Sequence, residues 1–266
     1  MIPVVADSVE QVQSLPNMAT KNEKLIVGIN GGYFWRVDID GFWRDNVCRG
    51  KTRSEAEQPA SSINPNFGIS DGTVVIDGVV YGNNCNCTGF SRPAVLSIDG
   101  QNSGIEVLYR GENVDSTVTR NAISASPNLV SFDMTTNKAY VDIPKDDDDV
   151  NKFVYEATTA VGLQQQLVDG KLQASSMIMV TSDGSDSCMP KDKYCGIISP
   201  DLATLMLDVF HCTQAMSMDQ GGSTTMWISG ENPERNGVVS RSDNTQPEET
   251  EGARNLANGL FIEVLE

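Results

Sequence analysis

Residues 216–228 bring an acid, glycines and hydroxyl side chains together between two apolar runs. The central residues are Asp219, Gln220, Gly221, Gly222, Ser223, Thr224 and Thr225. Glycines allow a ligand to approach the backbone closely, and the N–H groups can then face an anion or a sugar oxygen. The pattern predicts a strand, a tight turn and a second strand, with the Asp219 carboxylate at the edge of a binding site. The alternative is an ordinary hairpin turn whose Asp and Ser side chains bond only to their own backbone.

A second glycine turn follows the apolar run at residues 24–29, which indicates a buried strand. The run ends in Asn30, Gly31 and Gly32. These residues predict another stretch of backbone that can lie close to a ligand. A plain turn explains them equally well, so both interpretations stay open.

The charge and composition of the chain restrict its partners. Its 266 residues include 36 acidic side chains against 19 Lys and Arg, and the formal charge is −17. Such a charge repels nucleic acid and anionic membranes, and no apolar run approaches the length that spans a membrane. The only histidine is His211 and no C-x-x-C pair occurs, so no metal site is expected.

Four apolar runs end in Asp-Gly, a pair that favours the positive φ angles of tight hairpins. The pairs are Asp71-Gly72, Asp77-Gly78, Asp99-Gly100 and Asp183-Gly184. They predict an α+β fold, mostly antiparallel sheet with a few packed helices. A last strand is expected at residues 260–265, inside the sheet.

Helices are predicted at three places. The apolar spacing of residues 7–15 indicates a short helix that ends near Pro16. The acids at 146–149 suit a helix start, and the helical spacing continues over 150–161. The clearest helix covers residues 200–213, with Ser199 as its cap.

The division into domains is expected to be simple. Residues 1–24 form an N-terminal segment with the short helix, and residues 25–266 form a single catalytic-type domain. The polar stretch at 35–66 has little periodicity, so we interpret it as a loop insertion in that domain.

Six short motifs occur in a defined order along the chain. They are Asn30-Gly31-Gly32-Tyr33-Phe34, Arg92-Pro93-Ala94, Pro127-Asn128-Leu129-Val130, Asp219-Gln220-Gly221-Gly222-Ser223-Thr224-Thr225-Met226, Val238-Val239-Ser240-Arg241-Ser242-Asp243 and Arg254-Asn255-Leu256-Ala257-Asn258. In this order the chain resembles the phosphodiester glycosidase family, from roughly residue 25 to the C-terminus. Three positions depart from the family pattern. Gln220 stands where the family usually has glycine. Ser175 and Ser176 stand where it commonly has Arg-Thr. Ala253, directly before Arg254, stands where it has Glu.

The resemblance implies hydrolysis of a sugar-1-phosphodiester of the N-acetylglucosamine type, between the anomeric carbon and the phosphate, without a cofactor. It implies catalytic roles for Asp219, as the key carboxylate, and Arg254, with Arg92 as a further phosphate or sugar ligand. The other substrate-binding candidates are Asn30, Gly31, Gly32, Gly221, Gly222, Ser223, Thr224 and Asp243. Two alternatives remain open: a non-catalytic carbohydrate-binding protein and a structural secreted protein, each on the same scaffold.

The cysteines favour an oxidising, extracytoplasmic compartment. They are Cys48, Cys85, Cys87, Cys188, Cys195 and Cys212. Cys188 and Cys195 bracket a polar loop that a disulfide could close, whereas Cys212 lies in an apolar helical pattern and is a candidate buried thiol. The first residues lack the pattern of a signal peptide, as expected if a leader has been removed.

We predict that Cys188 and Cys195 form a disulfide. Peptide mapping without reduction should recover the two flanking peptides as one linked species, which separates after reduction. Recovery of both cysteines as free thiols would contradict the bond, and would also weaken the assignment to an oxidising compartment.

Overall fold

Antiparallel pairing dominates the part of the chain that the structure describes. The computed structural model describes residues 2–6, 12–34, 70, 72–82, 94–108, 112, 114–143, 155–184, 196–241 and 253–264. Within these ranges, fourteen strands form three sheets, and each strand pair is antiparallel. The prediction of an α+β fold with mostly antiparallel sheet is therefore confirmed.

The first sheet joins the two ends of the described chain. Its strands, in spatial order, are β1 (Ile2–Val5), β14 (Asn258–Glu263), β2 (Leu25–Asn30) and β13 (Met226–Ile228). The last strand lies inside this sheet, as predicted, since it pairs with β1 on one side and β2 on the other. Its residues Leu260 and Phe261 are fully buried. The buried strand predicted at 24–29 is also confirmed, and it ends at Asn30.

The other two sheets have five strands each. The second sheet has the order β11 (Lys171–Ser182), β10 (Thr158–Val168), β12 (Gln214–Ser217), β8 (Asn128–Asp133) and β9 (Lys138–Val141). The third has the order β4 (Val79–Gly82), β3 (Val74–Ile76), β7 (Ala122–Ala125), β5 (Ala94–Ser97) and β6 (Gly104–Val107). Ile29, Ile123 and Met216 contribute to one buried apolar cluster, so the three sheets share a core.

Two of the predicted Asp-Gly turns connect neighbouring strands. Asp77 and Gly78 have φ angles of 51° and 81° and close the β3–β4 hairpin. Gly100, with φ of 53°, begins the short 3-10 helix (Gly100–Asn102) between β5 and β6. The longest hairpin, β10–β11, is closed by Asp169 and Gly170, a pair that the sequence analysis did not single out. Asp71 and the residues directly after Gly184 lie outside the described ranges.

Two helix predictions are wrong in the described residues. The first helix, α1 (Leu15–Ala19), begins where the predicted helix at 7–15 should end, because a proline without an N–H group suits a first turn. The predicted helix at 150–161 fails because Thr158 begins strand β10, whose first residues are buried on both faces. A strand buried on both faces lacks the alternation that distinguishes it from a helix. Residues 7–11 and 144–154 lie outside the described ranges.

The clearest predicted helix is present but shorter. The helix α2 (Ser199–Thr204) continues into a π-helical turn (Leu205–Val209), so the prediction of 200–213 extends too far. His211, with φ of 52°, turns the chain out of the helix. Ile198 holds the cap position and no side chain caps the helix, so the predicted capping by Ser199 is wrong. Among the described helices, none has the length and apolar character needed to cross a membrane.

Cys212 is the buried free thiol that was predicted as a candidate. Its burial raises the pKa of the thiol to about 11, so the group stays neutral. A Cβ atom placed on Gly162 of β10 would lie 2.6 Å from both Cys212 Sγ and Met206 Cε. The glycine therefore allows the chain after α2 to pack closely on the second sheet. The remaining cysteines, and with them the Cys188–Cys195 bond, fall outside the described residues.

Replacing Gly162 by alanine tests this close packing. The added methyl group overlaps Cys212 and Met206, so we expect the free energy of unfolding to fall by about 1–3 kcal/mol. Gly104→Ala is the matched control, because its added methyl would lie 3.7 Å from Gln214 Oε1, an ordinary contact. Urea unfolding monitored by circular dichroism measures both variants. Equal stability of the two would contradict the packing argument.

Candidate active site

The two glycine turns of the sequence analysis meet at one place in the fold. Asp219 N–H donates to Gly31 O at 3.0 Å, and Asn30 Nδ2 donates to Asp219 O at 2.7 Å. The end of β2 therefore holds the backbone of Asp219 on both sides. The carboxylate is half-buried, and its Oδ1 accepts a hydrogen bond from Gln220 N at 3.0 Å. These bonds give the side chain a defined place at the junction of β2 and the turn.

The Asn30 side chain is fully buried and connects three segments of the chain. Its Oδ1 accepts from Thr159 Oγ1 at 2.6 Å and from Thr225 N at 3.0 Å. Its Nδ2 donates to Asp219 O and, at 3.4 Å, to Gly31 O. These four bonds use the hydrogen-bonding capacity of the amide. Asn30 is thus a positioning residue for the turn, held by internal contacts.

The turn at Asp219 joins two sheets. The strands on either side, β12 and β13, belong to different sheets, and a 3-10 helix (Gly221–Ser223) lies between them. Gly221 N–H donates to Ala157 O at 2.8 Å, which anchors this helix beside the start of β10. The predicted order of strand, turn and strand is therefore present. The alternative of an ordinary hairpin is wrong, because the two strands do not pair with each other.

The replacement of the usual glycine by Gln220 has a structural explanation. Gln220 has an extended backbone, with φ of −111°, whereas Gly221 has φ of +61° and needs the freedom of glycine. The buried Gln220 side chain donates from Nε2 to Ser217 Oγ at 2.7 Å. Position 220 therefore accepts a side chain without backbone strain.

Gly31 and Gly32 are closely packed against protein atoms. A Cβ atom on Gly31 would lie 1.8 Å from Asn258 Oδ1, and one on Gly32 would lie 1.9 Å from Ser124 O. Strands β14 and β7 therefore occupy the space next to these glycines. Packing on the neighbouring strand of the same sheet explains Gly31, and packing between two sheets explains Gly32.

Arg254 lies against the same turn, just before β14. Its side chain is only 8% exposed, and Nη1 donates to Ser223 Oγ at 3.4 Å. Thr224, the next residue of the turn, is 2% exposed, and within the described ranges its Oγ1 has no hydrogen-bond partner. A buried hydroxyl without a partner can bond to a substrate or a water molecule. The structure thus places one carboxylate, one guanidinium and one available hydroxyl around a single turn.

Other predicted positions lie elsewhere. Arg92 and Asp243 fall outside the described residues, so their roles stay predictions. Ser175 and Ser176, which replace the Arg-Thr of the family pattern, are exposed in β11, where both contact Gln164. Within the described ranges, no group of three His, Cys, Asp or Glu side chains could hold a metal ion.

Two residues of this arrangement were missed by the sequence analysis. Thr159 was placed in a predicted helix, yet it starts a central strand and donates to Asn30. Asn258 ended one of the six motifs without a role, although its Nδ2 donates to Ser70 Oγ at 2.8 Å and its Oδ1 faces Gly31. The position of the polar Asn258 directly before the apolar run at 260–262 was the available signal.

Replacing Asn30 by aspartate tests its positioning role. The carboxylate cannot donate to Asp219 O and would be buried, so we expect the free energy of unfolding at pH 7 to fall by about 3 kcal/mol. Burial raises the pKa of such a carboxyl, so the loss should be smaller near pH 4, where the group is neutral, and should grow as the pH rises. Asn137→Asp, on the surface, is the control and should change stability by less than about 0.5 kcal/mol. Thermal unfolding measures both variants. Equal losses of unfolding free energy in Asn30→Asp and Asn137→Asp would contradict the positioning role of Asn30.

Two solved structures are similar to this chain to different degrees. One of them is the catalytic domain of zebrafish N-acetylglucosamine-1-phosphodiester alpha-N-acetylglucosaminidase, auto-inhibited by its pro-peptide. The two structures have a TM-score of 0.56 and 16% sequence identity, and the match covers 99% of this chain and 72% of that one. A hypothetical protein from Synechocystis has a TM-score of 0.48 and 11% identity, over 97% of this chain and 55% of that one. No curated protein matches the chain in sequence.

The sequence itself matches a known family over most of its length. The profile of the phosphodiester glycosidase family aligns with residues 23–263. This range contains β2, the Asp219 turn, Arg254 and the whole of β14. The chain belongs to the phosphodiester glycosidase family.

Proposed function

We propose that the chain hydrolyses a sugar-1-phosphodiester of the N-acetylglucosamine type, between the anomeric carbon and the phosphate. The observation that carries the proposal is the half-buried Asp219 carboxylate, whose backbone is held on both sides by Asn30 and Gly31. Family membership and the likeness to the zebrafish catalytic domain support the same reaction class. The buried Arg254 beside the turn adds a group suited to phosphate.

The chemistry explains why one well-placed carboxylate matters. Water adds to the anomeric carbon as the carbon–oxygen bond to phosphate breaks, which yields the free sugar, a phosphomonoester and a proton. The phosphate leaves as a stable anion and therefore needs little help from a general acid. The positive charge that develops on the sugar ring is the larger barrier, and a fixed carboxylate stabilises it. Asp219 is assigned this role.

The neighbours of Asp219 bind the substrate in this proposal. The Arg254 guanidinium presents a planar fork that matches phosphate oxygens. The Thr224 hydroxyl bonds to a substrate oxygen, and Ser223 holds Arg254 in place. We assign Arg92 and Asp243 to the same pocket on the family pattern alone. Neutral sugar and a single phosphate suit this chain better than a polyanion, because its formal charge is −17.

We further propose that the protein works in an extracytoplasmic compartment, whether secreted, periplasmic or luminal. The even number of cysteines, and the polar loop between Cys188 and Cys195, support this location. Its expected partner is a carbohydrate or sugar phosphate, with no role in nucleic-acid binding.

Replacing Asp219 by asparagine tests the catalytic role. The amide keeps the shape of the side chain and removes its charge, so turnover of a sugar-1-phosphodiester should fall about a hundredfold or more, with little change in stability. Asp133→Asn is the matched control, because Asp133 Oδ1 accepts from Thr135 N in an exposed turn remote in sequence from Asp219. The control should retain wild-type turnover.

Two results would contradict the proposal. Wild-type turnover by the Asp219→Asn variant would show that Asp219 only shapes the turn. A wild-type protein that binds sugar phosphates in calorimetry, yet hydrolyses none of a panel of them, would instead favour the non-catalytic carbohydrate-binding protein.

A further inference from the structure

The buried side chain of Gln220 connects the backbone beside Asp219 to the second sheet. Gln220 is 7% exposed, and its Nε2 donates to Ser217 Oγ at 2.7 Å. Its backbone N–H donates to Asp219 Oδ1 at 3.0 Å. One residue therefore contacts both the candidate catalytic carboxylate and the strand that precedes the turn. A glycine, which the family usually has at this position, has no side chain that could contact Ser217.

The Ser217 hydroxyl is fully buried and both donates and accepts hydrogen bonds. Its oxygen accepts from Gln220, and its proton is shared between Thr159 O at 3.2 Å and Met218 O at 3.3 Å. Strands β10 and β12 pair directly at this point, where Ser217 lies opposite Ala160. The acceptor of the Gln220 side chain is therefore fixed by a sheet, which holds a group more accurately than a loop does.

These contacts close a ring of hydrogen bonds around the turn. Gln220 donates to Ser217, and Ser217 donates to the carbonyl of Thr159. Thr159 Oγ1 donates to Asn30 Oδ1 at 2.6 Å, and Asn30 Nδ2 donates to Asp219 O at 2.7 Å. The bond from Gln220 N–H to Asp219 Oδ1 completes the ring. Connected hydrogen bonds strengthen one another, so loss of one member loosens the others.

The reaction assigned to Asp219 depends on the position of its carboxylate. Its proposed role is to stabilise charge that develops on the sugar ring in the transition state. A displacement of about 1 Å in such a site costs on the order of a hundredfold in rate. A residue that orients the carboxylate without holding the substrate should therefore change kcat and leave KM nearly unchanged.

We propose that Gln220 is a positioning residue for the Asp219 carboxylate. Its side chain, anchored on Ser217, holds the backbone N–H of residue 220 against Asp219 Oδ1. The effect of this contact on catalysis rests on the proposed function above, whereas the positioning itself is a property of the folded chain.

Replacing Gln220 by methionine tests the positioning. Methionine has a similar length and no hydrogen-bond donor, so the space remains filled while the contact to Ser217 is lost. Protection of the residue 220 amide from hydrogen exchange, measured by NMR, should fall about tenfold or more. The Gly221 amide, which donates to Ala157 O at 2.8 Å, should stay protected and shows that the turn is folded. With a sugar-1-phosphodiester, kcat should fall about tenfold while KM stays within about twofold.

A second variant, Ser217→Ala, removes the acceptor of the same contact and serves also if Gln220→Met does not fold. It should lower the amide protection and kcat as Gln220→Met does. The double variant should lose little more than either single variant, because one contact can be lost only once. Gln166→Met is the matched control, because Gln166 is exposed in β10, and it should retain wild-type protection and kcat.

The outcomes separate this proposal from the proposed function. An unprotected residue 220 amide in the wild type would overturn the positioning role, as would wild-type protection in both Gln220→Met and Ser217→Ala. Independent, additive losses of kcat in the double variant would also overturn it. If protection falls in both variants but the wild type hydrolyses no phosphodiester, the positioning stands and the proposed function fails. If the wild type is active and both variants match its kcat, the positioning role is overturned and the proposed function stands.

Discussion

The buried amide of Asn30 is the contact on which the candidate site depends. It accepts hydrogen bonds from Thr159 and Thr225, and it donates to the carbonyl of Asp219. A buried amide is costly unless its hydrogen bonds are made, so this geometry tolerates little displacement of any partner. The position of the Asp219 carboxylate is therefore set by the packing of two sheets as well as by the turn itself. Groups supported by strands in this way are held more accurately than groups on free loops.

The sequence predicted part of this site because its motifs are local. An acid, two glycines and hydroxyls in one stretch identified the turn, and Asn-Gly-Gly identified the end of β2. Their meeting depends on strand neighbours, which a single sequence does not specify. The roles of Gly31 and Gly32 show the same limit, since glycine indicates a close approach but not whether ligand or protein approaches. Here the approaching atoms are Asn258 Oδ1 and Ser124 O.

The fold could be predicted where local preferences decide the structure. The Asp77-Gly78 hairpin follows from the φ angles that this pair accepts. The start of strand β10 could not be predicted, because its first six residues are all buried and show no alternation of apolar and polar side chains. The end of α2 also depends on distant contacts: the chain passes through a π-helical turn and reverses at His211. Close packing of Cys212 and Met206 on Gly162 accompanies that reversal.

Three hydrogen bonds at and near the candidate site join residues that are far apart in the chain. Asn30 and Asp219 are 189 positions apart, Asn30 and Thr225 are 195 apart, and Asn258 and Ser70 are 188 apart. Closing such long loops is entropically unfavourable until many other contacts have formed, and a high average separation slows folding. During synthesis from the N-terminus, β2 emerges long before the turn and β14 exist. The candidate site is therefore among the last parts of the molecule to assemble, and a chain without the turn and β14 lacks the contacts that shape it.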